Sequence, residues 1–384
     1  MSRALKNALM RLRSLQEVTF TSKQPTLRAS LALILRFVPR KPNNLPVDSI
    51  FDEAKPLIQK NLNDLSVFFN THPESQYDAE LLFIKRASRH TDRWSGQIAF
   101  PGGRRDPEDD SDLAACIREV REEVGIDLSK NNANSIYIGS LAQKPVMSQF
   151  GYSLTMILCP YVFILTDPKK FKLDCQAEEV AGAFWVPLDQ LNEELTSPRN
   201  RDLWQPVDFS HRLQFANKSI KWIPNWIYHV IGSHSIGTGD MLFPAINLSP
   251  TEFKASIDSS TVLSQLPVTY FRLWGLSNGI VTDLLEFINP RSIIPYIRWP
   301  TFENRDFRAI ISILSAHLKW KKRQELNCIS QNYNNVNLDI YGHYLNGYFK
   351  YIIGGIGLGF ILRTALLIFV SSVCLSIYQI FCVY

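Results

Sequence analysis

Residues 95–126, SGQIAFPGGRRDPEDDSDLAACIREVREEVGI, constrain this chain more than any other stretch. A short apolar run, Ile98-Ala99-Phe100, suits a strand and stops at Pro101-Gly102-Gly103, since glycine tolerates backbone angles other residues avoid. An acidic loop follows, in which Asp109, Asp110 and Ser111 are N-cap candidates, and Gly125 stands where a helix C-cap is expected. Between the caps Leu113, Ile117, Val120 and Val124 make one apolar stripe at helical spacing. At about 100° per residue, Glu119, Glu122 and Glu123 fall away from that stripe.

Three glutamates on one short helical face repel one another at i, i+3 and i, i+4 spacing. A hard divalent cation held by oxygen ligands relieves that repulsion, and Mg²⁺ typically takes one or two carboxylates together with substrate phosphate oxygens. The plainer alternative is a solvated surface helix with Arg118 and Arg121 as intrahelical partners. The adjacent Gly-Gly turn, at a fixed distance from the helix, favours the cation.

Gly103, followed by Arg118-Glu119-Val120-Arg121-Glu122-Glu123-Val124-Gly125-Ile126, resembles the Nudix box, which ends R-E-apolar-x-E-E-x-G-apolar. The loop departs from the box: Asp110 stands where the early glutamate is expected, one residue further from Gly103. This variant, within Phe100-Pro101-Gly102-Gly103, resembles the branch that contains coenzyme A diphosphatases. The resemblance implies a Nudix-type α/β/α sandwich with a mixed sheet, and Mg²⁺ or Mn²⁺ as cofactor. It implies that Glu119, Glu122 and Glu123 bind the metal and that Arg118 orients a glutamate by an ion pair.

Composition sets outer limits. With 46% hydrophobic and 20% charged residues, the 384-residue chain is an ordinary folded protein, long enough for one large or two modest domains. A net charge of +5 is too mild to imply nucleic acid as a partner. The six cysteines form no CxxC pair, which favours free thiols in a reducing compartment. Nothing in the sequence specifies an oligomeric state.

Residues 1–27 read as a basic N-terminal segment, and the basic stretch 1–40 suits either a mitochondrial-type presequence or the start of the fold, with Thr26–Arg36 as its first helix. Phe51–Phe69 reads as an amphipathic helix and Leu81–Ile84 as a buried strand. Lys85, Arg86, Arg89, His90 and Arg93 precede the glycine turn, and Arg86 and Arg93, with Gly102 and Gly103, are the candidates for gripping an anionic substrate. A solvated basic loop is the alternative.

After the box, 137–141 and 152–165 read as strands. Glu178-Glu179-Val180, running on to Trp185-Val186-Pro187-Leu188, resembles the family's EV…WVPL segment. Glu179 is then an additional metal ligand, the general base or a plain surface carboxylate. A short helix is expected from Pro187. Residues 197–265, with Trp204, Trp222 and Trp226, look like an insertion, and His229 and His234 read as structural. Leu273-Trp274-Gly275-Leu276 resembles the family's WGLT run, which opens the last helix of a catalytic domain expected over 28–290.

Residues 291–350 are then expected to hold an amphipathic helix at Phe307–Trp320, a basic cluster at Lys319–Arg323 suited to an anionic membrane surface, and an Asn-rich linker over 327–337. Within 351–384 the only charge is Arg363, and Thr364–Tyr384 is uncharged and long enough to cross a bilayer core. It reads as a C-terminal transmembrane helix resembling a tail anchor. Lys350 and Arg363 on its entry side place the catalytic domain in the cytosol, while the particular membrane stays open.

These readings describe a membrane-attached Nudix hydrolase that cleaves a pyrophosphate in a nucleoside diphosphate derivative. Coenzyme A and its acyl derivatives are the substrates the resemblance implies, with Glu122 or Glu179 as base and Arg118 as positioning residue. Two other classes compete: a Nudix-fold isopentenyl diphosphate isomerase, and a membrane-tethered nucleotide-binding protein without catalysis.

Overall fold

A computed structural model describes residues 2–17, 19–20, 26–40, 65–72, 76–89, 94–129, 134–147, 154–197, 203–208, 237–256, 267–331 and 339–382. The chain begins with helix α1 (Ser2–Ser14), and β1 (Leu27–Pro39), α2 (Leu65–Thr71), β2 (Tyr77–Arg86), β3 (Ile98–Ala99) and α3 (Asp112–Val124) follow. Next come β4 (Ser135–Ser140), β5 (Lys144–Met147), β6 (Leu154–Leu165), β7 (Val180–Pro187), α4 (Leu188–Thr196), β8 (Trp204–Val207), β9 (Met241–Asn247) and β10 (Glu252–Ala255). The last part holds β11 (Arg272–Trp274), α5 (Gly275–Ile288), β12 (Thr301–Phe302), α6 (Arg305–Leu314), α7 (Ala316–Gln331), α8 (Ile340–Leu345) and α9 (Tyr348–Cys382).

A mixed eight-stranded sheet runs β10-β7-β2-β1-β6-β4, with β3 on β2 and β5 on β6. Its centre is the parallel pair β1–β6, from Leu27 opposite Met156 to Arg36 opposite Leu165. Strand alternation divides the core in two. Ala32, Ile34, Leu82 and Ile84 face α3 through Val120 and Val124. Leu33, Leu35, Leu81 and Phe83 face the opposite layer of α1, α2, α4 and α5. The result is the expected α/β/α sandwich. Strands β8, β9, β11 and β12 form a second, four-stranded sheet beside it.

Several expectations change. Thr26–Arg36 was expected as a helix and is strand β1, because its apolar run is buried on both faces of the sheet, where periodicity alone does not separate helix from strand. The basic start of the chain packs into the fold: Leu5, Leu9 and Leu12 of α1 are each 1% exposed in the main core, and Arg11 donates to the Phe287 carbonyl of α5. Of the helix expected over Phe51–Phe69, only the end is seen, as α2; residues 41–64 lie outside the described residues. The expected helix at Phe307–Trp320 is two helices, broken at buried Ser315. Asn327, expected in a linker, lies within α7, while 332–338 are outside the described residues.

The chain does not leave the core at 290. Leu326, Ile340, Tyr341 and Tyr344 join the cluster that α5 buries. The buried ammonium of Lys144 on β5 pairs with Asp283 of α5 and with Asp339, which caps α8 by accepting the Gly342 N–H. Burial alone would lower the Lys144 pKa, but the two carboxylates raise it further than burial lowers it. Within 197–256, β10 extends the main sheet by pairing with β7, and β9 is the centre of the second sheet.

Helix α9 is long and apolar enough to cross a membrane. Its first part packs on the domain and its remainder is bare, with Leu366, Leu367, Ile368 and Phe369 61–67% exposed.

Candidate functional site

Helix α3 is stopped at both ends as its sequence suggests. The Ser111 side chain accepts from the Ala114 N–H, and Gly125 closes the helix in the left-handed region at φ 73°. Docking of Val120 and Val124 on the sheet sets the roll of the helix, and that roll sends Glu123 inward rather than to solvent. The glycine turn lies against β1: Ser30 donates its N–H to the Gly103 carbonyl and Ala32 donates to that of Pro101.

The turn and helix meet at two glycines. The Gly102 N–H donates to Glu123 Oε2 at 2.7 Å. Gly102 sits at φ 141°, and a Cβ there would lie 2.1 Å from the Ser30 carbonyl oxygen, so no side chain fits. A Cβ on Gly103 would instead lie 2.3 Å from the carboxyl carbon of Glu119. Gly102 thus lets the turn lie directly against the backbone of β1, and Gly103 clears space for Glu119.

Electrostatics mark the same spot. Glu123 is 2% exposed, and burial pushes its carboxyl up to about 8. The Gly102 N–H and the charge of Arg86 oppose that rise, and the charges of Glu119 and Glu179 add to it. Glu119 is also raised, by burial first, against the pull of Arg118. Arg86, Glu119, Glu123 and Glu179 therefore share one site. Glu179 is half-exposed, with Arg89 at 3.5 Å.

Arg118 is the hub of the acidic loop. It reaches Glu119 at 3.1 Å and Glu122 at 3.0 Å, and donates to the Arg104 carbonyl. Its main partner is Asp109, held through Nε at 3.0 Å and Nη2 at 2.9 Å. These bonds raise the Arg118 pKa and hold the Asp109 carboxyl below its usual range. Sequence spacing pointed to Asp110; the structure engages its neighbour. The signal was present, because five residues separate Gly103 from Asp109, as the box requires, and the extra residue lies on the helix side.

Arg93 lies outside the described residues, as do Trp222, Trp226, His229 and His234. Among the described residues, no three His, Cys, Asp or Glu side chains converge as they stand, since Glu119 and Glu122 both turn to Arg118. The residues nonetheless fit a hard divalent cation. The donors are all carboxylate oxygens, and Glu123 is buried where a counter-charge is what favours its ionised form. The exposed Glu122 side chain needs only a rotamer change to leave Arg118.

This chain is similar in sequence to several known proteins. The family model for the NUDIX domain matches residues 67–205. An uncharacterised Schizosaccharomyces pombe protein is 30% identical over 315 residues, 79% of this chain and 79% of that protein. An uncharacterised Nudix hydrolase of Yersinia enterocolitica, NudL, is 38% identical over 107 residues, 28% of this chain, and the match spans only about half, 49%, of that relative. Among solved structures, the NUDIX domain of Shewanella oneidensis NrtR, complexed with ADP ribose, is 14% identical with a TM-score of 0.27, covering 53% of this chain and 93% of that one. The C. elegans Ap4A hydrolase is 12% identical with a TM-score of 0.24, covering 43% and 83%.

Proposed function

We propose that this chain, which carries a NUDIX domain over residues 67–205, is a pyrophosphohydrolase that cleaves the diphosphate of a nucleoside diphosphate derivative, with coenzyme A or its acyl forms as the favoured substrate. One observation carries the reading: a buried carboxylate, Glu123, bonded to the backbone of the glycine turn beside Glu119.

Glu119, Glu122 and Glu123 would hold Mg²⁺ or Mn²⁺, which would supply positive charge against the diphosphate and Lewis acidity for the attack of water. The chain's own residues do the rest. Gly102 and Gly103 let the diphosphate approach the backbone, with Gly102 also fixing the Glu123 carboxylate. Arg86, and Arg93 beyond the described residues, attract and orient the anionic substrate. Arg118, clamped by Asp109, holds Glu119 in place, while Glu122 turns from Arg118 towards the cation. Glu122 or Glu179 takes the proton of the attacking water. Both are half-exposed, so either reaches solvent to pass that proton on.

The far half of α9 crosses a membrane, with Lys350 and Arg363 on the cytosolic side together with the catalytic domain. Mass spectrometry of products from coenzyme A, acyl-coenzyme A and a panel of dinucleotides tests the substrate. Release of 3′,5′-ADP from coenzyme A supports the reading. Conversion of an isopentenyl diphosphate, or binding without any product, contradicts it.

A further inference from the structure

An anchor behind an Asn-rich linker would let the domain swing freely over the lipid, but α9 is built differently. It leaves the domain as one unbroken helix, and its first half is part of the domain's core. Tyr348 is 1% exposed and donates its hydroxyl to the Pro300 carbonyl; Ile352 is fully buried beside it. Helix α6 lies antiparallel along the same stretch, with Ile311 seated on Gly355 and Phe307 on Gly359. At those two glycines an added Cβ would lie 2.3 and 2.4 Å from the opposing side chain, so the fit admits no side chain. The packing ends in a polar bolt: Arg363 donates to both carboxylate oxygens of Asp306, at 2.5 and 2.9 Å, and to the Gly237 carbonyl at 3.0 Å. Its guanidinium also stacks on Phe307 at 4.5 Å.

Past the bolt the helix is apolar around its whole circumference. Leu366, Leu367, Ile368 and Phe369 are consecutive and all 61–67% exposed, which no one-sided protein groove would cover. From 364 to 382 the helix is about 28 Å long, close to the hydrocarbon thickness of a bilayer. Arg363 therefore marks the level of the headgroups.

We infer that α9 mounts the catalytic domain on the membrane in one fixed pose, with Asp240, residues 303–306 and Arg308 as the surface that meets the lipid headgroups. This rests on α9 spanning the bilayer, as proposed above. The surface suits zwitterionic headgroups, because acidic Asp240, Glu303 and Asp306 alternate with Arg305, Arg308 and Arg363. The basic cluster Lys319–Arg323, expected from sequence to sit on an anionic membrane, is placed elsewhere. Lys319 packs over the Tyr348 ring at 5.2 Å, and Tyr348 lies about 22 Å along the helix from Arg363. A headgroup layer is only about 5–8 Å deep.

The test uses the full chain in phosphatidylcholine vesicles, with Cys328, Cys374 and Cys382 changed to serine and one cysteine introduced, Arg305→Cys or Lys321→Cys. Each carries a fluorescent label, challenged by a nitroxide on the lipid headgroup and by iodide in water. The fixed pose predicts that the label at 305 loses emission to the nitroxide, while the label at 321 responds to iodide alone. Adding Arg363→Ala should lower the nitroxide response at 305. If the chain floats with vesicles yet both labels respond only to iodide, the domain is tethered and the inference fails. A nitroxide response at 321 without one at 305 overturns the pose as well. Failure to float, or burial of the bare face by a second copy seen on cross-linking in detergent, overturns the span itself.

Discussion

Helix α3 turns a carboxylate inward where an apolar side chain is usual, and the far half of α9 turns apolar side chains outward where polar ones are usual. In α3, Glu123 is 2% exposed, and burial pushes its carboxyl up to about 8. In α9, Ile361 and its successors are bare around the helix. Each departure costs stability for the isolated chain, and under the proposed function each would be relieved by a partner of opposite character: a cation in one case, hydrocarbon in the other. Local rules fail where a ligand belongs.

The largest effect expected from breaking this comparison is at α3. Glu123→Gln should lower kcat on the order of 10³-fold, the scale of removing a preorganised electrostatic group, without lowering the melting temperature. Thermal unfolding beside steady-state kinetics checks both halves, and a mutant that unfolds early would refute the idea that the charge serves function over stability. At α9 the complementary change is truncation after residue 360. Flotation should then be lost while turnover of a soluble substrate in detergent stays at the wild-type level.

Lys144→Met probes whether the segment beyond 290 is core. It leaves Asp283 and Asp339 facing each other without their cation, and should cost about 3–5 kcal/mol in urea unfolding. Gly103→Ala is subtler. The new methyl meets only the far end of the Glu119 side chain, so unfolding should be unchanged while the metal concentration needed for half-maximal rate rises.

Asp109→Asn should cost about 1.5 kcal/mol through the loosened loop. Arg118 holds the Asp109 pKa below its ordinary value of 3.8, so the clamp adds stability above that pH and loses it as pH falls through the lowered value. The Asn variant should therefore show a flatter acid limb in unfolding measured against pH.

Much of α3 was legible because its information is local. Ser111, Gly125 and the stripe through Val120 and Val124 act within a few residues of one another. The apolar run of α9 was legible for the same reason. What escaped is long-range. Strand β1 is specified by its partner β6, more than a hundred residues away, and its own run of Leu and Ala suits either element. No spacing rule connects Lys144 with Asp339, nor Phe307 with Gly359, because tertiary packing alone brings them together. Asp109 was missed by one position, since the loop absorbs its extra residue after the acid: counting forward from Gly103 reaches Asp109, counting back from Arg118 reaches Asp110, and the bond to Arg118 decides between them.

If the glutamates of α3 gather a divalent ion beside the glycine turn, anomalous diffraction from crystals of the full chain soaked in Mn²⁺ should reveal it. A peak is expected about 2.1 Å from carboxylate oxygens of Glu119, Glu122 and Glu123, with Glu122 swung off Arg118. No peak there in well-ordered crystals, with Glu119 and Glu122 still bonded to Arg118, would contradict it.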